Sequence, residues 1–212
     1  MPSRSFHLLG LSGSLRGAAA STAVLRTVAR RVPADTTMTI ASLGEVPLFN
    51  EDEDRSGVLA PVATLKAAIA AADGLVVISP EYNHGLSGVL KNAIDWVSRP
   101  GYDSVLKNKP VLVMSSAASA LGGARAQLQL RELFASTLSR VVARRQIVVG
   151  NTAEKIKNGE LIDLATLAFI DAGIADLLDE IALLAQRDFV DLRGSLMREL
   201  NAGRQTAHAK IP

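Results

Sequence analysis

Leu75-Val76-Val77-Ile78-Ser79-Pro80-Glu81-Tyr82-Asn83-His84-Gly85 decides how this chain is read. Its first four residues are continuous, apolar and largely β-branched, the pattern of a strand covered on both faces in a parallel sheet. Proline and glycine then punctuate a polar loop. Val89, Leu90, Ala93, Ile94 and Val97 follow at helical spacing, predicting a helix that stops before Pro100. Strand, loop and helix in this order are half of a βαβ unit.

The pattern repeats in both directions. Upstream, Phe6 to Leu11 is a mostly apolar run, predicted as the first strand. The loop 12–20 leads into a helix to about Arg31, with Ser21 or Thr22 as its cap and Val24, Leu25 and Val28 on its inner face. Thr37 to Ala41 reads as a second strand. A long loop, 43–59, is expected to carry the acidic run Glu51-Asp52-Glu53-Asp54, and a helix starts near Pro61. Downstream, Pro110 to Ser115 reads as a fourth strand, followed by a small-residue loop over 116–123 and a helix over 124–137. A fifth strand is expected in two pieces, Val141 to Ala143 and Gln146 to Val149. A long helix over 161–186 follows, with Gly173 as a place to bend.

Alternating strands and helices imply right-handed crossovers and a doubly wound α/β sheet with helices on both faces. Five strands suit the order 2-1-3-4-5. In that order ligands bind at the carboxyl ends of strands, beside the switch between strands 1 and 3. The loops 11–16 and 80–85 follow those two strands.

Composition bounds the rest. With 212 residues, 48% of them hydrophobic, the chain is long enough for one substantial core. Residues 1–190 are expected as one domain and 191–212 as a polar tail. A net charge of +2 gives no argument for nucleic acid or an anionic membrane. The absence of cysteine excludes thiolate chemistry, and three scattered histidines predict no metal site. No apolar run is long enough to cross a bilayer. The start, Arg4 followed by Phe6 to Leu11, is short for a signal peptide and holds His7, so a cytoplasmic protein is expected.

Leu11-Ser12-Gly13-Ser14-Leu15-Arg16 has the chemistry of a phosphate cradle. A helix start exposes unpaired N–H groups and partial positive charge. Gly13 permits close approach, Ser14 offers a hydroxyl and an N–H, Arg16 a permanent charge, and Ser21 a further hydroxyl. The loop is neither a Walker loop nor a GxGxxG loop, so a terminal monophosphate suits it better than a pyrophosphate. The same residues also fit an ordinary turn with a solvated arginine. Likewise Tyr82 and His84 suit the rim of a flat ring, and equally sheet-end packing and a solvated loop.

The chain resembles the NAD(P)H-dependent FMN reductase family of flavodoxin-like proteins, which includes bacterial quinone, chromate and azo-dye reductases. The resemblance rests on Gly13 to Arg16, Pro80 to Asn83, Gly88-Val89-Leu90-Lys91-Asn92-Ala93-Ile94-Asp95-Trp96 and Gly122 to Arg125. It implies that Ser14, Leu15, Arg16 and Ser21 hold the FMN phosphate. It implies that Pro80, Glu81, Tyr82, Asn83 and His84 border the ring and that the loop from Ser116 to Gly122 closes a third side. It further implies hydride transfer from NADPH or NADH to bound FMN and, once the nicotinamide has left, reduction of a small acceptor such as a quinone or azo compound. A ping-pong scheme with no catalytic side chain follows, in a homodimer or homotetramer.

There are departures. Family members carry a serine and an asparagine further along the phosphate loop, where this chain has Ala19 and Ser21. One lost charge-assisted hydrogen bond weakens FMN by about 1.5–3 kcal/mol. Two rivals differ in class: a flavodoxin-like electron carrier, which the near-neutral charge and few aromatics disfavour, and a cofactor-depleted module without activity. Three other stretches are read as structural. Asp52 to Gly57 begins like a calcium loop but has Ala63 where a glutamate is needed. Arg140, Arg144 and Arg145 are expected on a solvated strand edge, and Trp96 in packing or at a subunit interface instead of in chemistry.

Overall fold

The computed structural model of the chain describes residues 5–56 and 59–185. The strands are β1 (Phe6–Ser12), β2 (Thr36–Ala41), β3 (Gly74–Pro80), β4 (Pro110–Ser116), β5 (Arg140–Val141), β6 (Ile147–Val149), β7 (Ile156–Lys157) and β8 (Glu160–Leu161). The helices are α1 (Ala20–Ala29), α2 (Glu51–Ser56), α3 (Ala60–Ala71), α4 (Gly88–Val97), α5 (Ala124–Ser136), α6 (Thr152–Lys155) and α7 (Leu164–Ala185).

The main sheet is parallel, in the order β2-β1-β3-β4, with β5 and β6 both pairing with β4. The fifth strand is thus split, and the order is 2-1-3-4-5. At the split, the Gln127 amide donates to the carbonyls of Val113 and Ile147 and bridges the broken ladder.

Alternation along each strand divides the core in two. Leu8, Val76, Ile78, Leu112 and Met114 face α1 and α7, meeting Val24, Leu25, Val28, Leu167, Ile170, Ile174 and Leu177. Leu9, Leu11, Leu75, Val77, Val111 and Val113 face α3, α4 and α5, meeting Leu65, Ile69, Leu90, Ile94, Leu130 and Phe134. Fully burying such a side chain stabilises by roughly 1.5–3 kcal/mol. The compact unit formed this way runs to Ile181. The tail expected at 191–212 lies outside the described residues.

The structure departs from local expectations in the following places. The acidic run is not loop but helix α2, where Asn50 Oδ1 accepts from the Asp52 N–H and acidic residues fill the first turn. A short hairpin, β7–β8, precedes α7. It docks on α1 through the Leu161 N–H, which donates to Thr27 Oγ1 at 3.0 Å. Helix α7 runs uninterrupted through Gly173. A Cβ there would lie 2.6 Å from Arg144 Nη1, so the glycine makes room for that arginine. Arg144 is therefore not on a solvated edge: it pairs with Asp176 at 2.7 Å, donates to the Phe169 carbonyl and lies over the Phe169 ring. Arg140 pairs with Glu180 at 3.6 Å.

Candidate active site

The loops after β1, β3 and β4 emerge side by side at the carboxyl ends of the strands. In the first, the Gly13 N–H donates to the Ile78 carbonyl at 2.9 Å, carrying the β1–β3 ladder one residue further. The chain then turns. Ser14 Oγ accepts from the Arg16 N–H at 3.3 Å, and Leu15 and Arg16 are exposed. Among the described residues no side chain pairs with the Arg16 guanidinium.

Helix α1 opens without a side-chain cap, because Ala19 holds the capping position. The starts of α4 and α5 on the same sheet edge are closed. Ser87 Oγ accepts from the Leu90 N–H and caps α4. The Glu81 carboxylate crosses from its own loop to accept from the Arg125 and Ala126 N–H groups at 3.0 and 3.2 Å, capping α5. Of the starts of α1, α4 and α5, that of α1 keeps its donors open to an incoming anion; α3 also starts without a side-chain cap, at Leu59, with proline in its first turn.

Ser21 does not cap α1 and its hydroxyl is turned inward. It is 1% exposed and bonds Ser12 Oγ, which also bonds Thr22 Oγ1 at 2.9 Å. A cleft of about 380 Å³ lies over the loop, lined by Ser12, Ser14, Arg16, Thr22, Arg26 and the 40–44 segment.

The second loop is a tight hairpin. Tyr82 and Gly85 exchange both backbone hydrogen bonds at 3.0 Å, and Asn83 and His84 between them have φ of 50° and 64°. Two successive left-handed residues make a primed turn, which fixes the exposed Tyr82, Asn83 and His84 in place. Gln129 Oε1 holds the hairpin from α5 by accepting from the Leu86 N–H at 2.8 Å. Ser79 Oγ donates to the Pro80 carbonyl and accepts from the Ser87 N–H.

The third loop joins the second through the Glu81 N–H, which donates to the Ser116 carbonyl at 3.2 Å. Ser116 is buried. Ser115 Oγ donates to the Gly122 carbonyl, and Gly122, at φ 61°, packs on Val148 and Gly150 too closely for a side chain. Both the carboxylate and the N–H of Glu81 are thus used inside the protein. The Glu81 side chain braces the second loop against the start of α5.

Thr22, expected as a candidate helix cap, also belongs to this region, as do Arg26, Ser87 and Gln129, which are not apparent from motif reading. A signal existed for Ser87: a serine directly before a helical apolar pattern is a capping signature. Trp96 is in packing, as expected. It is 1% exposed and donates to the Pro47 carbonyl at 2.9 Å beside Asn92, which donates to the same carbonyl and accepts from the Phe49 N–H.

A sheet of this order, with an open helix start after its first strand and a tight hairpin after its third, defines a flavodoxin-like fold, in which ligands bind at the topological switch. Residues 6–154 match the family model described as NADPH-dependent FMN reductase, and the chain belongs to that family. It is 36% identical over 169 residues to the quinone reductase of Escherichia coli K12, covering 78% of this chain and 89% of that protein. It is 40% identical over 125 residues to an NAD(P)H-dependent FMN reductase of Pseudomonas aeruginosa, covering 59% of this chain and 67% of that one. The fold is shared with the flavoenzyme NAD(P)H:acceptor oxidoreductase of Paracoccus denitrificans. There the TM-score is 0.75 at 24% identity, over 84% of this chain and 97% of that one. The protein is an FMN-dependent oxidoreductase that draws on NAD(P)H.

Proposed function

We propose that this enzyme reduces quinone-like and related small acceptors, and that the three loops divide the holding of FMN between them. The observation that carries the site assignment is the uncapped start of α1, with the unpaired Arg16 beside it. The donor set fits the cofactor. Main-chain N–H groups, the Ser14 hydroxyl and a guanidinium suit a dianionic phosphate, and the exposed Tyr82–His84 hairpin suits a flat ring. When bound, FMN supplies the electron relay between NAD(P)H and the acceptor.

The chain's own residues then bind and orient. Ser14, Leu15 and Arg16 take the phosphate. Pro80 to His84 border the ring with backbone groups and the Tyr82 face. The segment from Ser116 to Gly122 forms a third wall. Glu81 and Ser21 act from behind, through α5 and Ser12. No side chain is required to carry a proton or form a bond. The same reading makes residues 1–190 the FMN-binding domain and 191–212 a tail, and the protein a cytoplasmic homodimer or homotetramer. Among the described residues no helix is long and apolar enough to cross a membrane.

The test is a visible-absorption titration of the purified protein with FMN, then anaerobic NADPH and NADH on the same sample, then a quinone. Saturable binding, bleaching by nicotinamide and recovery on adding quinone are expected, with parallel double-reciprocal plots. Saturation without bleaching by either nicotinamide would make it an electron carrier. No binding would make it a cofactor-free module.

A further inference from the structure

Arg26 stands in the last turn of α1, about 9 Å along the axis from Ala20. A cation there would ordinarily serve the carbonyl end of its helix. Arg26 does the opposite. Helical side chains lean toward the N-terminus, and this one runs back so that Nη1 donates to the Gly17 carbonyl at 3.2 Å, inside the phosphate loop. It lines the same cleft as Ser14, Arg16 and Thr22.

Two guanidinium groups and the positive end of α1 therefore share one cleft, and no carboxylate lines it. That is unfavourable without an anion. Five arginines elsewhere pair with acids, Arg30 with Glu160, Arg31 with Asp171, Arg125 with Glu81, Arg140 with Glu180 and Arg144 with Asp176, while Arg99 lies over the Phe49 ring and Arg131 donates to the Arg144 carbonyl. Among the described residues neither Arg16 nor Arg26 has a carboxylate partner. The cleft also lacks polar help from two positions, since Ala19 has no hydroxyl and the Ser21 hydroxyl faces Ser12. With one Nη group on Gly17, the other donors of the guanidinium remain available.

We infer that Arg26 is a second phosphate-binding residue, closing with Arg16 on the terminal phosphate of FMN and supplying the contact that Ala19 and Ser21 do not. The inference rests on the FMN reading proposed above.

The test compares FMN with riboflavin, which has the same ring and no phosphate. Binding to the apoprotein is followed by quenching of ring fluorescence, for wild type, Arg26→Met and Arg26→Lys, with thermal melts of each. Wild type is expected to prefer FMN. Arg26→Met should weaken FMN about ten- to hundredfold and leave riboflavin within about twofold, and Arg26→Lys should restore part of the loss. Unchanged FMN affinity in Arg26→Met overturns the inference. So does an equal loss for both ligands, which would make Arg26 a support of loop shape through Gly17. Wild type binding FMN no better than riboflavin overturns the phosphate assignment itself, and Arg26 with it. Arg26 is exposed, so Arg26→Met should fold; if it does not, Arg26→Gln replaces it.

Discussion

A Cβ placed on Gly13 would lie 2.5 Å from Ser87 Oγ, and 2.8 Å from Pro80 Cδ. The loop after β1 and the first turn of α4 touch here with no side chain between them. Ser87 cannot retreat, because its hydroxyl caps α4 and its N–H is held by Ser79. Gly13→Ala should therefore destabilise the protein by about 1–3 kcal/mol. It should also weaken FMN, since the loop must shift. Denaturant unfolding of the apoprotein and FMN titration read the two effects.

Arg16 gives the contrasting result. Its guanidinium has no side-chain partner in the protein, so Arg16→Ala should leave the melting temperature of the apoprotein unchanged. FMN affinity should fall by about 1.5–3 kcal/mol, with riboflavin unaffected. An FMN affinity equal to wild type would remove Arg16 from the site.

Glu81 should behave as a cap. Its side chain is 11% exposed and lies at the start of α5. Glu81→Ala leaves the Arg125 and Ala126 N–H groups without their acceptor and should cost about 0.5–2 kcal/mol. Glu81→Gln keeps an acceptor oxygen and should lose less. Chemical denaturation of the apoprotein tests the ranking, and loss of FMN binding without loss of stability would contradict it.

Asn92→Leu should loosen the loop that carries Phe49. The substitution leaves the Phe49 N–H unpaired, whereas the Pro47 carbonyl keeps Trp96. A destabilisation of about 1–3 kcal/mol is expected. Faster amide exchange at Phe49 would locate it.

Asp163 makes stability depend on pH. The Thr166 hydroxyl, then the Thr166 N–H, hold its carboxyl below the ordinary 3.8, and Lys155 lies 3.5 Å away. A carboxyl lowered by folding contributes stability above its unfolded pKa, and that contribution is lost as pH falls through the folded value. Asp163→Asn should therefore melt below wild type at pH 7. The two melting curves should converge in acid below the ordinary aspartate range. A constant gap at all pH values would refute the charge argument.

The split fifth strand and the loops after strands 1, 3 and 4 are legible in the pattern, which suits the order 2-1-3-4-5 that the sheet has. The run Leu75 to Ile78 permits only a doubly covered strand, and each of its neighbours is separated from it by a helix. Helix α2 was missed although Asn50 and Glu53 have capping-box spacing, because a run of four acids looks like solvated loop. The hairpin β7–β8 left no legible pattern. Its strands are two residues each, and what holds it is a bond from Leu161 to Thr27, 134 residues away in sequence.

Residue types and their local spacing determined the elements, the topology they suit and the loops at the strand ends, because hydrophobic periodicity and turn chemistry act over a few residues. Only the tertiary structure decided what each polar side chain does there. Ser21 is drawn to Ser12, Glu81 to the start of α5, Arg144 to Asp176, and Arg26 back to Gly17. The reason is geometric and electrostatic. A hydroxyl, a carboxylate or a guanidinium takes whichever partner folding brings within about 3 Å, and three of these four partners come from another element of the chain.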